Sequence, residues 1–410
     1  MNQTTNFSPY QKLVVALLAL TQFTVILDFM IVSPLGDMLM KSLTINPQQF
    51  GLIVSAYAFS AGISGLLTSG FADRFDRKKL LVFFYGGFII GTACCGIANT
   101  YHMLVAARIV TGLFGGVISS ISMAIVTDLF PMQQRGRVMG FLQMGFGASQ
   151  VLGIPISLYL ANAWGWEAPF LLVVGLAVII MLLIVVRIQP VTAHLALQHD
   201  KSALIHLWHT LTKGNYAIGF ATTAMLSIGG FMMMPFGSAY AINNLHITQQ
   251  QLPLLFIVAG IGTLIVMPQI GKLSDKMDRF TITSMATLLM IILVAIYTHL
   301  PPVPLYTVIT INVLMMAAIM GRSVPAMALI TSVPDMADRG AFMSINSSLQ
   351  QIAGGIAAAF AGMIVVQKTK TSPLENFDLV GYVAIVVSLC CLMLLGRVSK
   401  MVKTKLTPAL

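Results

Sequence analysis

Three ionisable side chains, Asp28, Arg108 and Arg322, lie inside long apolar runs of this chain. A charge at the centre of a membrane helix costs at least ~2.5–3.5 kcal/mol, so such groups usually mark a pathway. A carboxyl withdrawn from water holds its proton more tightly, and a nearby guanidinium loosens that hold. Asp28 and Arg108 could thus take up and release a proton as their surroundings change, or they could form a fixed ion pair. A buried guanidinium prefers a carboxylate or phosphate partner. Arg322 could therefore hold an anionic group of a ligand, satisfy helix carbonyls, or pair with Asp28. The polar residues Gln22, Gln143, Gln150, Asn346 and Gln350 could line a cavity or hydrogen-bond helix to helix. The run Met232-Met233-Met234-Pro235-Phe236 offers either an adaptable apolar surface or plain filler. No nucleophile–base arrangement and no cluster with metal-ligand spacing is visible, so an enzyme, a metal site and a cofactor are not expected. The cysteines form two vicinal pairs, Cys94-Cys95 and Cys390-Cys391, inside apolar runs, and read as small buried hydrophobes.

The elements that must position these residues follow from composition. Of 410 residues, 57% are hydrophobic and 9% are charged, against about 25% charged in ordinary soluble domains. Apolar runs of roughly 20 residues recur, the length that crosses a ~30 Å hydrocarbon core as a helix. Alternating patterns typical of membrane barrels are absent. Twelve spans are predicted, at 12–40, 49–72, 79–99, 101–129, 136–162, 167–187, 214–242, 250–273, 280–299, 304–333, 341–366 and 378–397. The fold class is thus an all-α membrane protein. Its expected parts are a six-helix bundle over 1–187, a linker over 188–213, and a second six-helix bundle with a basic tail over 214–410. The amino-terminal stretch lacks the basic start and cleavage site of a signal peptide, so the first helix is expected to be retained. Within the linker, Leu195, Leu204, Leu207, Trp208 and Leu211 suggest an amphipathic interfacial helix. His194, His199, His206 and His209 there read as solvated rather than metal-binding.

Charge sets the orientation. Eighteen of the 23 Lys and Arg residues fall on the side that carries both termini, three on the other side, and two inside spans. This bias places both termini in the cytosol. The net charge of +10 is therefore topology and lipid contact, not a nucleic-acid footprint. Among the 13 acidic residues, Asp28 alone falls inside a span, and Asp37 falls at the outer face.

The chain also repeats itself. At an offset of 202 residues, Leu43-Thr44-Ile45 meets Leu245-His246-Ile247, and Gln48-Gln49 meets Gln250-Gln251. Asp73, Asp76 and Arg77 meet Asp275, Asp278 and Arg279, and Pro34 nearly meets Pro235. Parallel repeats of this kind build transporters with a substrate site between the halves. Asp28, Arg108 and Arg322 have no counterpart in the other half, as suits a functional charge better than a fold-maintaining one. Prolines at 34, 155, 235 and 325 permit bends.

These motifs carry a resemblance. The stretch Ser69-Gly70-Phe71-Ala72-Asp73-Arg74-Phe75-Asp76-Arg77-Lys78 resembles the loop between helices 2 and 3 of the major facilitator superfamily, roughly G-x-x-x-D-R-x-G-R-K. Ser69 and Asp76 stand where that family prefers glycine. A second copy runs from Gly271 to Arg279, and Arg108-Ile109-Val110-Thr111-Gly112-Leu113-Phe114-Gly115 matches the helix 4 pattern R-x-x-x-G-x-x-G/A. The helix 5 antiporter motif is only half present, as Gly153-Ile154-Pro155-Ile156-Ser157. "ILDFMIVSPLGD" and "RGRVMG" look most like the twelve-helix drug and metabolite exporters.

The resemblance implies a proton-coupled secondary transporter, working by alternating access between two bundles. Helices 1, 4, 7 and 10 would line the cavity, and all three buried charges lie on them. Asp28 and Arg108 would couple protons. Arg322, Gln22, Met233, Phe236, Gln143, Asn346 and Gln350 would contact substrate. Asp73, Arg74, Arg77, Asp275, Arg279 and Arg135 would gate. Its partners would be a small-molecule substrate, protons and the lipid bilayer, with no nucleic acid, in a monomeric multi-pass protein of the inner membrane. Export of amphipathic small molecules is the expectation. Transport of an organic anion or sugar-like metabolite is the alternative, and a channel or receptor is the different class. No Walker A sequence is present, so ATP is not expected to drive it.

Overall fold

The computed structural model describes residues 7–68, 74–192, 195, 203–336 and 338–406. It is all-helical: among the described residues the sole pairing of extended backbone is an isolated bridge between Val366 and Glu375. Over its described residues each predicted span overlaps a helix or a broken helix. The first half contains α1 (Pro9–Ile31), α2 (Gly36–Ser42), α3 (Pro47–Thr68), α4 (Arg77–Gly96), α5 (Tyr101–Leu129), α6 (Met132–Ala148), α7 (Ile154–Trp164) and α8 (Ala168–Arg187). After the linker helix α9 (Ala203–Thr212), the second half contains α10 (Gly214–Phe231), α11 (Gly237–Asn243), α12 (Leu252–Lys276), α13 (Arg279–Thr298), α14 (Leu305–Ile330), α15 (Arg339–Ile364) and α16 (Phe377–Leu406).

Eleven of these helices or helix pairs are long and apolar enough to cross a membrane. The exception is α15. Ser344, Asn346, Ser347, Ser348, Gln350 and Gln351 dilute its apolar character, and it packs chiefly on α3 and α10.

Three expected spans are interrupted where proline falls. Lacking an N–H, proline cannot complete the helical ladder. The first span breaks into α1 and α2 around Pro34, and the seventh into α10 and α11 around Pro235. In the fifth span a π-helical turn, Ser149–Gly153, precedes Pro155. There the Ile154 N–H donates to the Ser149 carbonyl five residues back, so the ladder widens just before the proline. Pro268 and Pro325 sit inside unbroken helices.

The repeat seen in the sequence is a repeat of conformation. Thr44 and His246, 202 positions apart, both adopt a left-handed backbone, with φ of 53° and 58°. Each ends the short helix and turns the chain into the next span. Asp76 and Asp278 each cap the following helix, accepting from the N–H of Lys78 (2.9 Å) and Thr281 (3.1 Å). An acid there satisfies free N–H groups and favours the positive helix end. This accounts for acids in a loop whose bases alone would serve as an anchor.

The halves meet chiefly along α3 and α15, with α12 against α7 and the π turn. Glycine permits the approach: a Cβ on Gly51 would lie 2.7 Å from the Ala358 carbonyl oxygen, and one on Gly62 2.9 Å from that of Ser348. Ser55 donates across the seam to the Gly355 carbonyl at 2.9 Å. Such small-residue seams are how membrane helices pack closely. Within the first half, Gly112 of α5 presses on the α3 backbone at Tyr57, and a Cβ on Gly115 would lie 3.0 Å from the Tyr57 hydroxyl, the physical content of the helix 4 glycine pattern; Gly116, the next residue, presses on the backbone at Ala61. Both ends of the described chain lie at one face. Phe7 packs on Phe130 (5.8 Å), and Lys403 pairs with Asp278 (2.8 Å). We call it the terminal face, and the opposite one distal.

Candidate functional site: a cavity between the halves

A cavity of about 180 Å³ lies between α1, α3, α5, α6 and α15. Gln22, Ile26 and Phe29 of α1, Tyr57 of α3, Ser119 and Ser120 of α5, Gln143 of α6, and Ser344, Ser347, Ser348 and Gln351 of α15 form most of its wall. Among the described residues no charged side chain lines it. Ser119, Ser120, Gln143 and Ser347 are exposed. They sit roughly two to three turns from the terminal ends of their helices, so the cavity opens toward that side.

Asp28 and Arg108 are brought together one aromatic layer behind this wall. Arg108 Nη1 donates to Asp28 Oδ2 at 2.8 Å, and Thr92 Oγ1 donates to Oδ1 at 3.2 Å. The carboxylate is fully buried and the guanidinium is 1% exposed. The Arg108 guanidinium lies over the Tyr57 ring, 4.4 Å from its centroid. Tyr57 in turn packs on Phe29 at 5.2 Å. The Arg108 Nε has no hydrogen-bond partner, which costs about 1–3 kcal/mol for a buried donor. The pair joins α1, α4 and α5 through one carboxylate, while a single ring separates it from the cavity.

At the distal face the halves are tied by hydrogen bonds that the linear sequence does not foreshadow. Asp37 of α2 is buried, 1% exposed, and accepts from Asn243 Nδ2 at 2.7 Å and Gln249 Nε2 at 3.1 Å, both of the second half. Lys41, one turn on, pairs with it at 2.8 Å. Asp37 is thus at the expected face but enclosed, not a surface acid. Lys370 donates to the Lys41 carbonyl (3.1 Å) and to Thr44 Oγ1 (2.9 Å), and Asn162 donates to the Gln249 carbonyl at 3.0 Å. Beneath this layer Phe50 meets Phe236 edge-on at 5.6 Å. The cavity is therefore closed distally.

The Major Facilitator Superfamily model matches residues 18–358 and, again, 219–407. The chain belongs to the major facilitator superfamily. Its sequence is 24% identical over 355 residues to an uncharacterized MFS-type transporter of Bacillus subtilis, YbcL, spanning 85% of this chain and 88% of that one. A shorter match, 30% identical over 122 residues, is to multidrug resistance protein 3 of the same organism, covering 30% and 24% of the two chains. In structure it is similar to a bacterial homologue of the human lysosomal transporter Spinster, crystallised inward-facing and occupied. That likeness has a TM-score of 0.78 at 15% identity and covers 98% of this chain and all of that one.

In this superfamily member the other expected residues are distributed as follows. Gln22 and Gln143 line the cavity. Gln350 does not, while its neighbour Gln351 does. Asn346 is buried inside the second half, where its side-chain oxygen accepts from Thr223. Met233 is half-buried, and Phe236 belongs to the distal seal. Arg322 is enclosed within the second half, away from the cavity wall. It donates to Ser388 Oγ (2.8 Å), Met290 Sδ (3.1 Å) and the Leu226 carbonyl (3.3 Å). It has no acidic partner among the described residues.

The loop residues expected to gate make local contacts. Asp73 lies outside the described residues, as does the side chain of Asp275. Arg74 is exposed. Arg77 reaches Asp128 at the end of α5 (3.3 Å), and Arg279 donates to the Ala328 carbonyl near the end of α14 (3.4 Å). The two copies thus clamp equivalent helix ends, each within its own half. Arg135 donates to the Phe130 and Thr127 carbonyls (3.0 and 2.7 Å), capping the negative end of α5. On the second half, Lys213 pairs with Asp338 at 2.7 Å and holds its carboxyl below the usual range.

Sequence reasoning missed Tyr57, Asp37 and the serines. The α15 set had a signal: Ser344, Ser347, Ser348 and Gln351 recur at three and four residues, one polar stripe on an apolar helix.

Proposed function

We propose that the chain is a proton-coupled secondary transporter that exports neutral or amphipathic small molecules by alternating access, with the terminal face in the cytosol of a cell whose inner membrane it spans. One observation carries this reading. The cavity between the halves presents hydroxyls, amides and two aromatic rings but no charge, while an Asp28–Arg108 pair lies directly behind Tyr57. Substrate packed on Phe29 and Tyr57 would hold the ring over Arg108 and keep the ion pair closed. Loosening the pair favours the protonated carboxyl, and re-forming it releases the proton. Substrate and proton would thereby compete for one arrangement, which is what exchange requires. A drug-like amphipathic solute agrees with the name of the shorter match, multidrug resistance protein 3.

A second reading, transport of a sugar-like solute, draws on the serine and glutamine content of the wall. An organic anion draws no such support, because Arg322 lies outside the cavity. Purified protein in proteoliposomes under an imposed pH gradient tests the proposal. Expected is substrate-dependent proton flux that Asp28→Asn abolishes. Substrate flux with no proton movement would overturn the coupling and leave facilitation.

A further inference from the structure

A second concavity lies on the outer side of the α1–α6 seam. It encloses about 560 Å³ and is lined almost wholly by apolar side chains. On α1 its wall is one stripe, Lys12, Ala16, Ala19 or Leu20, and Phe23; on α6 it is Phe141, Met144, Ala148 and, within the π turn that follows, Leu152. Each recurs at three or four residues, so each is one helix face. Leu20, Phe141, Met144 and Leu152 are 39–64% exposed, so the groove faces outward, not into the cavity. Small residues make its floor: α1 and α6 approach so closely at Gly145 that a Cβ there would lie 3.1 Å from the Phe23 nitrogen.

The terminal end of the groove is cationic. Lys12 stands on its rim. Phe7, also in the wall, carries the Arg137 guanidinium 4.9 Å above its ring. Neither cation has an acidic partner among the described residues. From Lys12 to Phe23 is eleven residues, about 16 Å of helix, close to half of a ~30 Å hydrocarbon core.

We propose that this groove holds one acidic phospholipid of the terminal-face leaflet, its phosphate between Lys12 and Arg137 and one acyl chain between α1 and α6. The length of the groove matches a single leaflet, and its charge sits only at the headgroup level. The other faces of the same two helices carry Gln22 and Gln143 of the cavity, so the lipid would brace the cavity wall from behind.

The test is native mass spectrometry of the full chain in detergent, titrated with dioleoylphosphatidylglycerol or dioleoylphosphatidylcholine. A single tight phosphatidylglycerol adduct is expected. Each cation removed, by Lys12→Gln or Arg137→Gln, weakens it about fivefold, equivalent to ~1 kcal/mol per basic residue near an anionic surface. Ala16→Trp fills the groove and displaces the adduct with both cations intact. Equal affinity for the two lipids overturns the proposal, as does an adduct indifferent to both cation variants. An adduct that needs the cations but survives Ala16→Trp refutes the groove and leaves a headgroup contact only. The cation variants change exposed side chains, so they remain decisive if Ala16→Trp fails to fold.

Discussion

The Asp37 carboxylate accepts a 2.7 Å hydrogen bond from the Asn243 amide, and the two residues belong to opposite halves. Each lies on the short helix that follows a proline break, α2 after Pro34 and α11 after Pro235. The repeat therefore delivers two equivalent elements to one place, where an acid in one copy meets an amide in the other. A buried hydrogen bond to a charged group is worth about 1.5–3 kcal/mol. Asp37→Asn should then raise the population open at the distal face by roughly 10- to 100-fold. Distance measurement between spin labels on the two distal rims reads this directly. The double exchange Asp37→Asn with Asn243→Asp restores a carboxylate–amide bond and should restore closure. Loss of the Lys41 pair alone would not be repaired that way.

Replacing Asp28 leaves Arg108 buried without its counter-ion. Breaking a buried pair from one side costs about 3–5 kcal/mol. Asp28→Asn is expected to lower the thermal midpoint and to remove proton-driven flux. The milder Thr92→Val deletes only the 3.2 Å hydroxyl contact. It should keep the fold and move the pH profile of transport, because one hydrogen bond to the coupling carboxyl is gone. An unmoved pH profile would argue that the pair is structural.

Arg322 separates stability from substrate affinity. Its partners, Ser388, Met290 and the Leu226 carbonyl, are all interior to the second half. Arg322→Met should change the thermal midpoint but hold KM within about twofold, since no uniform binding contact is lost. A large rise in KM for an anionic substrate alone would return Arg322 to the binding site.

Gly112 and Gly136 form a matched pair of tests. A Cβ at Gly112 collides with the α3 backbone at Tyr57, whereas one at Gly136 meets nothing within 4 Å. Overpacking a tight contact costs about 1–3 kcal/mol. Gly112→Ala should destabilise by at least that much, and Gly136→Ala should be neutral or mildly stabilising through its helix propensity.

The pair that anchors the linker to the second half has a defined pH window. Lys213 lowers the Asp338 carboxyl, so that contribution is present above the unfolded value, about 3.9, and is lost as pH falls through the folded one. Asp338 raises Lys213, so its contribution is present below about 10.4 and is lost as pH rises through the folded value. Cleavage of the linker by a broad-specificity protease should stay slow between these limits and accelerate below about pH 4. Lys213→Ala should weaken that acid dependence, while the Tyr216 hydroxyl still donates to Asp338 at 2.7 Å.

Much of the architecture was written along the chain. Spans of roughly 20 apolar residues can only be helices in a bilayer, because each backbone group must be satisfied within its own segment. The 202-residue repeat followed from local patterns, and its paired caps and left-handed turns are local too. That Asp28 and Arg108 matter was legible from the cost of charge in hydrocarbon. What the chain could not disclose is which faces meet. A two-state choice, cavity or core, hangs on helix rotation: Gln350 and Gln351 differ by about 100° around α15, as any adjacent residues of a 3.6-residue helix do, and only the second lines the cavity. Arg322 could equally have pointed inward to a substrate, but packing turned it toward Ser388. Asp37 looked like a surface acid until α11 came from 206 positions away to enclose it. Such contacts depend on the mutual arrangement of two bundles, and that is set by tertiary packing rather than by any local pattern of residues.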